Sequence, residues 1–418
     1  MARQNVLFFI FRLHGGGAER VVSNLSMDLE EDYAIRIAVF DKVDKVYPHK
    51  GELIRINVPF SGDPATNNKA VRAIRLWLLT RRLRKIKRIH KIDTTVSFGE
   101  QANIINVLSG GRTVLSVRTL LSTEMRTAPN MRVLRSFVKA LYTRGDHIIV
   151  PSRVAGEDLS GNFSVPAEKI KVIYNYIDPE RIDRFAAERL DDDFLNGLFE
   201  MPVLLNVGRI TPAKGQWLLL EMMPAIKERY PDVRLVIIGE VEKGAILKDQ
   251  LLVRAAELGL RVYDQAAQHP QSLENDIFLL GFQSNPYKFM RRSRVLLFPS
   301  AFEGFPNTLL EAMQTGLPVI SADCQSGPRE IMAPDSDLTK STKKAEYTPY
   351  GVLCPSLPTA EMLDGVEPGI IREWLAALFA VLDDAALRQS LIDNGYRRVK
   401  DFDRESILRS WRESLSLP

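Results

Sequence analysis

The sequence predicts an α/β fold made of two open, mostly parallel sheets, each in its own domain. Short β-rich apolar runs alternate with longer helical patterns along the whole chain, the signature of parallel α/β architecture. The length of 418 residues exceeds one ordinary domain and suits two of about 200 residues each. An acidic stretch without strand pattern, DPERIDRFAAERLDDDFLNGLFEMP, closes at Pro202 and divides the apolar runs into two series.

In the first series the expected strands are 6–11, 35–40, 94–98, 113–117, 147–151 and 171–174. In the second they are 203–207, 234–238, 277–280, 295–299, 318–322 and 351–354. The expected organisation is a first Rossmann-like domain over 1–175, a linker over 176–200, a second Rossmann-like domain over 201–395 and a C-terminal segment, 396–418. Residues 402–417 read as one amphipathic helix with Ile407, Leu408, Trp411 and Leu415 on one face, expected to cross back to the first domain. Two such sheets facing each other would leave a cleft at the C-terminal ends of their strands, where ligands bind.

Composition narrows the class. Hydrophobic residues make up 45% and charged residues 26%, the balance of a soluble globular chain. The opening MARQNVLFFIF holds a six-residue apolar stretch, strand-like and unlike a signal peptide. No stretch approaches the roughly 20 apolar residues of a membrane-spanning helix. Cys324 and Cys354 lie outside any CxxC or Cys/His ligand pattern, as expected of reduced thiols in a cytoplasmic protein. The net charge of +4 hides an asymmetry: residues 1–180 carry +10 and the rest −6. The first half is therefore expected to meet something anionic.

Four stretches carry chemistry. PSAFEGFPNTLLEAMQTGLPVISAD, at 299–323, reads as strand, loop, helix, turn and strand. Glu303 and Gly304 sit in the loop, Asn307 and Thr308 suit a helix N-terminus, and Glu311 lies eight residues after Glu303. A helix N-terminus behind a glycine-bearing loop offers backbone N–H groups and a positive dipole end to a phosphate. In NVGRITPAKGQWLLLEMMPAI, at 206–226, a strand ends at Gly208 and a loop carries Arg209 and Lys214. Fixed cations of this kind suit an anionic ligand, Arg209 as a fork and Lys214 as a point charge. In FRLHGGGAERVVSNLS, at 11–26, a strand delivers Gly15, Gly16 and Gly17 to a helix mouth near Ala18, where backbone can approach a ligand closely. SADCQSGPREIM, at 321–332, forms a tight loop after a core strand. Lys288, Arg291, Arg292 and Arg294 read as the solvated face of a helix before the 295–299 strand.

These motifs resemble the retaining GT-B glycosyltransferases of family 4, over nearly the whole chain: GGGAER, GR-x4-KG, E-x7-E and SGPREI. The resemblance implies that Glu303 lies by the donor sugar and Glu311 at the nucleotide ribose. Backbone around Gly304, Phe305, Asn307 and Thr308 would meet sugar and phosphates, as would Gly208, Gly16 and Gly17; Pro306 has no N–H to offer. The SGPREI form is similar to members that build bacterial surface polysaccharides and lipid-linked oligosaccharides. Many members place a histidine after the strand corresponding to 113–117; this chain has Arg118 there, a candidate phosphate or acceptor ligand. His14 reads as structural. The Asp-x-Asp candidate for a metal site, Asp191 to Asp193, lies in the acidic stretch and follows no strand, so no metal and no cofactor are expected.

Residues 69–91 hold ten Lys/Arg, one His and no acid, with Val71, Ile74, Trp77, Leu78, Leu79, Leu83, Ile86 and Ile89 at near-helical spacing. Such a basic amphipathic helix suits an anionic membrane surface; an ordinary surface helix is the competing reading, and no nucleic-acid module accompanies the charge. A weaker basic run follows at 126–144. The expected function is retaining transfer of a hexose or N-acetylhexosamine from a nucleotide-sugar, UDP favoured, to a glycan or polyprenyl-diphosphate-linked acceptor. The expected location is cytoplasmic, peripheral on the inner face of the plasma membrane. The alternatives are a GDP-mannose-dependent mannosyltransferase, another enzyme of the same fold, and a non-enzymatic basic peripheral membrane protein.

Overall fold

The computed structural model describes residues 3–14, 16–40, 47–56, 69–123, 131–190, 192–241, 247–267, 270–358 and 365–417. Gly15, Asp191 and residues 126–130 of the second basic run lie outside them. The chain forms two compact units, Met1–Asn175 with Arg404–Pro418, and Tyr176–Asp403.

The first unit is built on seven parallel strands: β1 (Gln4–Ile10), β2 (Tyr33–Val39), β3 (Glu52–Arg55), β4 (Thr94–Phe98), β5 (Arg112–Ser116), β6 (His147–Val150) and β7 (Ile170–Val172). Their order is β3-β2-β1-β4-β5-β6-β7. In β1 the run Val6, Leu7, Phe8 and Phe9 is fully buried, because helices cover both faces of a parallel sheet. Phe8 stands opposite Ile37 of β2 and Val96 of β4. Strand order reverses beside β1, so the loop after it, with Gly16 and Gly17, opens at a topological switch point.

The second unit carries eight strands: β8 (Val203–Val207), β9 (Arg234–Ile238), β10 (Val262–Asp264), β11 (Ile277–Leu279), β12 (Val295–Phe298), β13 (Val319–Ala322), β14 (Glu346–Thr348) and β15 (Gly351–Cys354). Their order is β10-β11-β9-β8-β12-β13-β15-β14, with β14 alone antiparallel. Here the switch falls between β8 and β12. The loops that follow these two strands hold Arg209, Lys214 and Glu303.

The two-sheet α/β expectation is met, with differences at its margins. Strands β3, β10 and β14 were not expected: each is three or four residues long, and β3 is only partly buried, so none has an apolar run to announce it. Residues 176–200 are not an open tether. They form helices Pro179–Ala186 and Asp193–Glu200 within the second unit. The acidic residues act as caps: Asp178 accepts from the Arg181 N–H at 2.9 Å and Asp192 from the Phe194 N–H at 2.8 Å, as N-cap carboxylates do. The helix expected across 288–294 is a single turn, Tyr287–Met290, and Lys288 within it is buried rather than solvated.

The last helix, Arg404–Leu415, belongs to the first unit. It buries Ile407, Leu408, Trp411 and Leu415, and the Trp411 ring stacks on Phe98 at 6.3 Å. Gln4 Nε2 donates to the Leu415 carbonyl at 2.9 Å, and Arg404 and Arg412 pair with Asp28 and Asp32 at 2.6 and 2.8 Å.

Helix Lys69–Ile89 buries Leu79 and Leu83, whereas Ile74, Trp77 and Ile89 are more than half exposed. Two of its cations are structural. Arg84 donates to the Leu108 and Ser109 carbonyls at 2.8 and 3.1 Å. Lys87 donates to Asn106 Oδ1 at 2.7 Å and to the Gly110 carbonyl at 2.8 Å, closing the C-terminal end of helix Glu100–Ser109. Burial, and then the Arg84 charge, push the Lys87 ammonium down to about 7. Trp411→Ala should lower stability by about 3–5 kcal/mol, since it empties a fully packed aromatic site; urea unfolding followed by tryptophan fluorescence measures this, and an unchanged midpoint would contradict the assigned packing.

Candidate active site

The site in the second unit is built where β8 and β12 release their loops. Asn206, a polar residue in the middle of β8, donates through Nδ2 to the Leu297 carbonyl of β12 at 2.8 Å. Gln216, at the start of helix Gln216–Arg229, donates through Nε2 to the Arg209 carbonyl at 3.0 Å. Both side chains are buried and tie the strand exit to the helix entrance. The intervening loop is stitched to its neighbour by the Ala301 N–H, which donates to the Ala213 carbonyl at 2.9 Å. Gly215 has φ +66°, and a Cβ there would lie 2.2 Å from the Pro299 carbonyl oxygen. Only glycine allows the two loops to close up in this way.

That closure brings two residues 89 positions apart into contact: Lys214 Nζ forms an ion pair with Glu303 Oε1. Their side chains are 23% and 13% exposed, so the pair is partly open to solvent rather than sealed inside the core. The Lys214 ammonium also stands 5.5 Å from the centre of the Phe298 ring, a cation–π arrangement that restricts its wandering. Arg209 is exposed on the same loop.

After Glu303 the chain turns through Gly304, Phe305 and Pro306 into helix Asn307–Gln314. No side chain caps that helix, so its positive end is left to backbone N–H groups, among them those of Asn307 and Thr308. The Phe305 side chain is buried against Phe402, ring centres 5.4 Å apart; only its backbone can serve a ligand. Glu311, in the second turn of the helix, accepts through Oε1 from the Tyr287 hydroxyl at 3.2 Å. Ser326 Oγ donates to the Gly304 carbonyl at 2.8 Å from beneath. Asn206, Gln216, Tyr287 and Ser326 thus support the site; Ser326 lies in the SADCQSGPREIM loop singled out above, and Asn206 shows as a polar residue in the apolar strand LLNV.

Gly16, Gly17 and Arg118 lie in the first unit. Gly16 is the extended N-cap of helix Gly17–Asp28, which no side chain caps. A Cβ on Gly17 would meet nothing within 4 Å, so packing does not explain its lack of a side chain. Glu19 pairs with Arg12 at 3.0 Å, and the Arg20 guanidinium lies 5.3 Å from the Tyr47 ring centre. Arg118 lies two residues past the end of β5. Its Nη2 donates to Asn175 Oδ1, while Nη1 is buried without a hydrogen-bond partner among the described residues. Burial pushes this guanidinium down to about 10. A buried donor left in this state favours an incoming anion or acceptor oxygen.

Among the described residues, no group of three or more His, Cys, Asp or Glu converges as a metal-ligand set. Asp192, from the Asp-x-Asp triplet, is occupied as a helix cap. Cys324 and Cys354 are buried and free, and burial pushes both thiols well above the usual range. No described helix is long and apolar enough to cross a membrane.

Comparison with known proteins places these units. Residues 15–181 match Glycosyltransferase Family 4 and residues 196–346 match Glycosyl transferases group 1. An N-acetylgalactosamine-N,N'-diacetylbacillosaminyl-diphospho-undecaprenol 4-alpha-N-acetylgalactosaminyltransferase of Campylobacter jejuni is 29% identical over 413 residues, 97% of this chain and 98% of that protein. An uncharacterized glycosyltransferase of Methanocaldococcus jannaschii is 29% identical over 348 residues, covering 80% of this chain and 81% of the relative. The crystal structure of Anabaena HepE in complex with UDP and glucose superimposes with a TM-score of 0.72 at 18% identity, covering 99% of this chain and all of the other. The chain is a glycosyltransferase of the hexosyltransferase class, with a family 4 domain followed by a group 1 domain on the GT-B fold.

Proposed function

We propose that the enzyme transfers a hexose or N-acetylhexosamine from a UDP-sugar, with retention and without a metal, to a glycan or polyprenyl-diphosphate-linked sugar. The Lys214–Glu303 pair carries this reading. An ammonium held beside a carboxylate, next to the uncapped start of helix Asn307–Gln314, matches the charge pattern of a sugar bonded to a diphosphate. Lys214 and Arg209 take the phosphate charge, Glu303 faces the sugar hydroxyls, and Glu311, steadied by Tyr287, takes the ribose. In the transfer the acceptor oxygen bonds to the anomeric carbon as the bond from that carbon to the phosphate oxygen breaks. The acceptor proton passes to the departing phosphate on the same face, so no separate base is required. Two fixed cations supply the charge stabilisation that a divalent ion supplies elsewhere.

The acceptor side of the reading is supported by the Campylobacter relative, whose name specifies a diphospho-undecaprenol acceptor, and by the surface of the first unit. Ile74, Trp77 and Ile89 stand exposed among Arg81, Arg82, Lys85 and Arg88, with Arg81 4.6 Å from the Trp77 ring centre. Phe137, on helix Met131–Tyr142, is also exposed. Apolar residues set among cations suit an anionic interface, each cation contributing about 1 kcal/mol. The enzyme would then work from the cytoplasm on the inner face of the plasma membrane, and Arg118 would meet acceptor or phosphate oxygens.

In a thermal-shift panel of UDP, GDP, ADP and dTDP, UDP should give the largest stabilisation, and EDTA should leave it unchanged. Stabilisation by GDP instead would replace the donor reading, and loss with EDTA would end the metal-free one. Lys214→Met should lower kcat by about 10²–10³-fold, the scale for losing one fixed stabiliser of developing charge; a loss below threefold counts against its role. Liposomes rich in anionic lipid should float the wild type but not a variant with Arg81, Arg82, Lys85 and Arg88 changed to Glu. Undiminished flotation would remove this helix as the anchor.

A further inference from the structure

The turn that carries Glu303 rests on a second loop, and that loop is closed by a buried charge bridge. Asp323 leaves β13 at its C-terminal end, and Arg329 stands six residues later in the short helix Pro328–Met332. Arg329 Nε donates to Asp323 Oδ1 at 3.1 Å and Nη2 to Asp323 Oδ2 at 2.5 Å. The other edge of the guanidinium meets Glu346 of β14: Nη1 donates to Oε1 at 3.1 Å and Nη2 to Oε2 at 2.6 Å. Asp323 Oδ2 also accepts from the Thr342 N–H at 2.6 Å, and the Asp323 N–H donates to the Cys354 carbonyl at 2.8 Å. The Asp323 side chain is wholly buried and that of Arg329 is 7% exposed. A paired fork of this kind is stiff, because a shift of either partner leaves a desolvated charge unmatched.

Of the five residues inside the bridge, 324–328, three lie against the active-site turn. Cys324 is buried close enough to Glu303 that, after burial itself, the carboxylate is the next cause of its raised thiol. Ser326 Oγ holds the Gly304 carbonyl at 2.8 Å. Gly327 has φ +92°, and a Cβ there would lie 2.4 Å from Pro306 Cδ and 3.1 Å from the Phe305 Cα. Backbone is thus stacked on backbone with no room between, so displacement of the lower loop must be passed to the upper one.

We propose that Asp323 and Arg329 are positioning residues: by bridging the loop 324–328 they fix the floor under the 304–306 turn, and with it the Glu303 carboxylate and the first N–H groups of helix Asn307–Gln314. The proposal rests on Glu303 as a donor-side residue. The requirement is geometric, since a fork that engages two carboxylates at once cannot be reproduced by the point charge of a lysine.

Two readouts on the full chain test it, one free of any substrate. By hydrogen–deuterium exchange, Arg329→Lys and Ser326→Ala should each speed exchange of the 301–309 amides by about tenfold or more, while the amides of β8 keep their wild-type rate. In turnover with the UDP-sugar found active, Arg329→Lys should lower kcat by about 10–100-fold, the scale of a misplacement near 1 Å. In a Glu303→Gln background the same change should cost less than about threefold, because residues acting through one group are not additive. Multiplicative losses, or unaltered exchange at 301–309, would overturn the proposal. Ser326→Ala leaves the bridge intact and removes only its tie to Gly304; wild-type exchange and kcat in that variant would overturn it even if Arg329→Lys failed to fold. Should the wild type turn over no UDP-sugar, the donor reading fails while the exchange measurement still decides the bridge.

Discussion

Parallel strands in one sheet cannot be joined by tight turns; each must be followed by a crossover that returns the chain to the other end. In this protein that constraint sends the C-terminal ends of β1, β2 and β4–β7 to one edge of the first sheet, and those of β8, β9, β12 and β13 to one edge of the second. Irregular backbone collects there, and it is wettest and least filled where strand order reverses. Loops after β8 and β12 flank such a reversal. Everything chemical in the second unit follows from their being neighbours in space.

The Lys214–Glu303 pair shows how a site can stay ordered without a ligand. Each partner satisfies the other, so neither charge is left bare while the site waits. On the proposed reading, a diphosphate arriving beside Lys214 would compete for the same ammonium, and a sugar hydroxyl arriving beside Glu303 would donate to the carboxylate as the ammonium shifts. That exchange would replace one charge-assisted contact by two, lowering the electrostatic cost of separating the pair. Arg118 is the contrasting case: its buried Nη1 has no such partner among the described residues, and its environment already disfavours the charge.

Much of this was legible in the chain because buried parallel strands need unbroken apolar runs: VLFF in β1, VLL in β8 and LLF in β12 declare themselves. So do loop glycines and charges placed directly after such runs, which is why Arg209, Lys214, Glu303 and Gly304 could be named. What stayed hidden was pairing at long range. Nothing in the sequence says that Lys214 meets Glu303, that Ser326 holds Gly304, or that Arg329 faces Glu346. Edge strands β3, β10 and β14 escaped because a short strand paired on one side needs no apolar signature. In the basic stretch 69–91, Arg84 and Lys87 are turned to a neighbouring helix end rather than outward; a count of charges carries no direction.

The helix Arg404–Leu415 is the last regular element of the chain, yet it packs on the strands that come first. On a ribosome this sets an order of events. The segment 176–403 is contiguous and has its whole sheet as soon as it emerges. The first unit, made earlier, must wait with the surface around Phe98 uncovered until Trp411 is synthesised. At about 5–20 residues per second that delay lasts tens of seconds, long enough for chaperones or a nearby membrane to meet the uncovered face. The half of the enzyme that is translated first is therefore the half that is finished last.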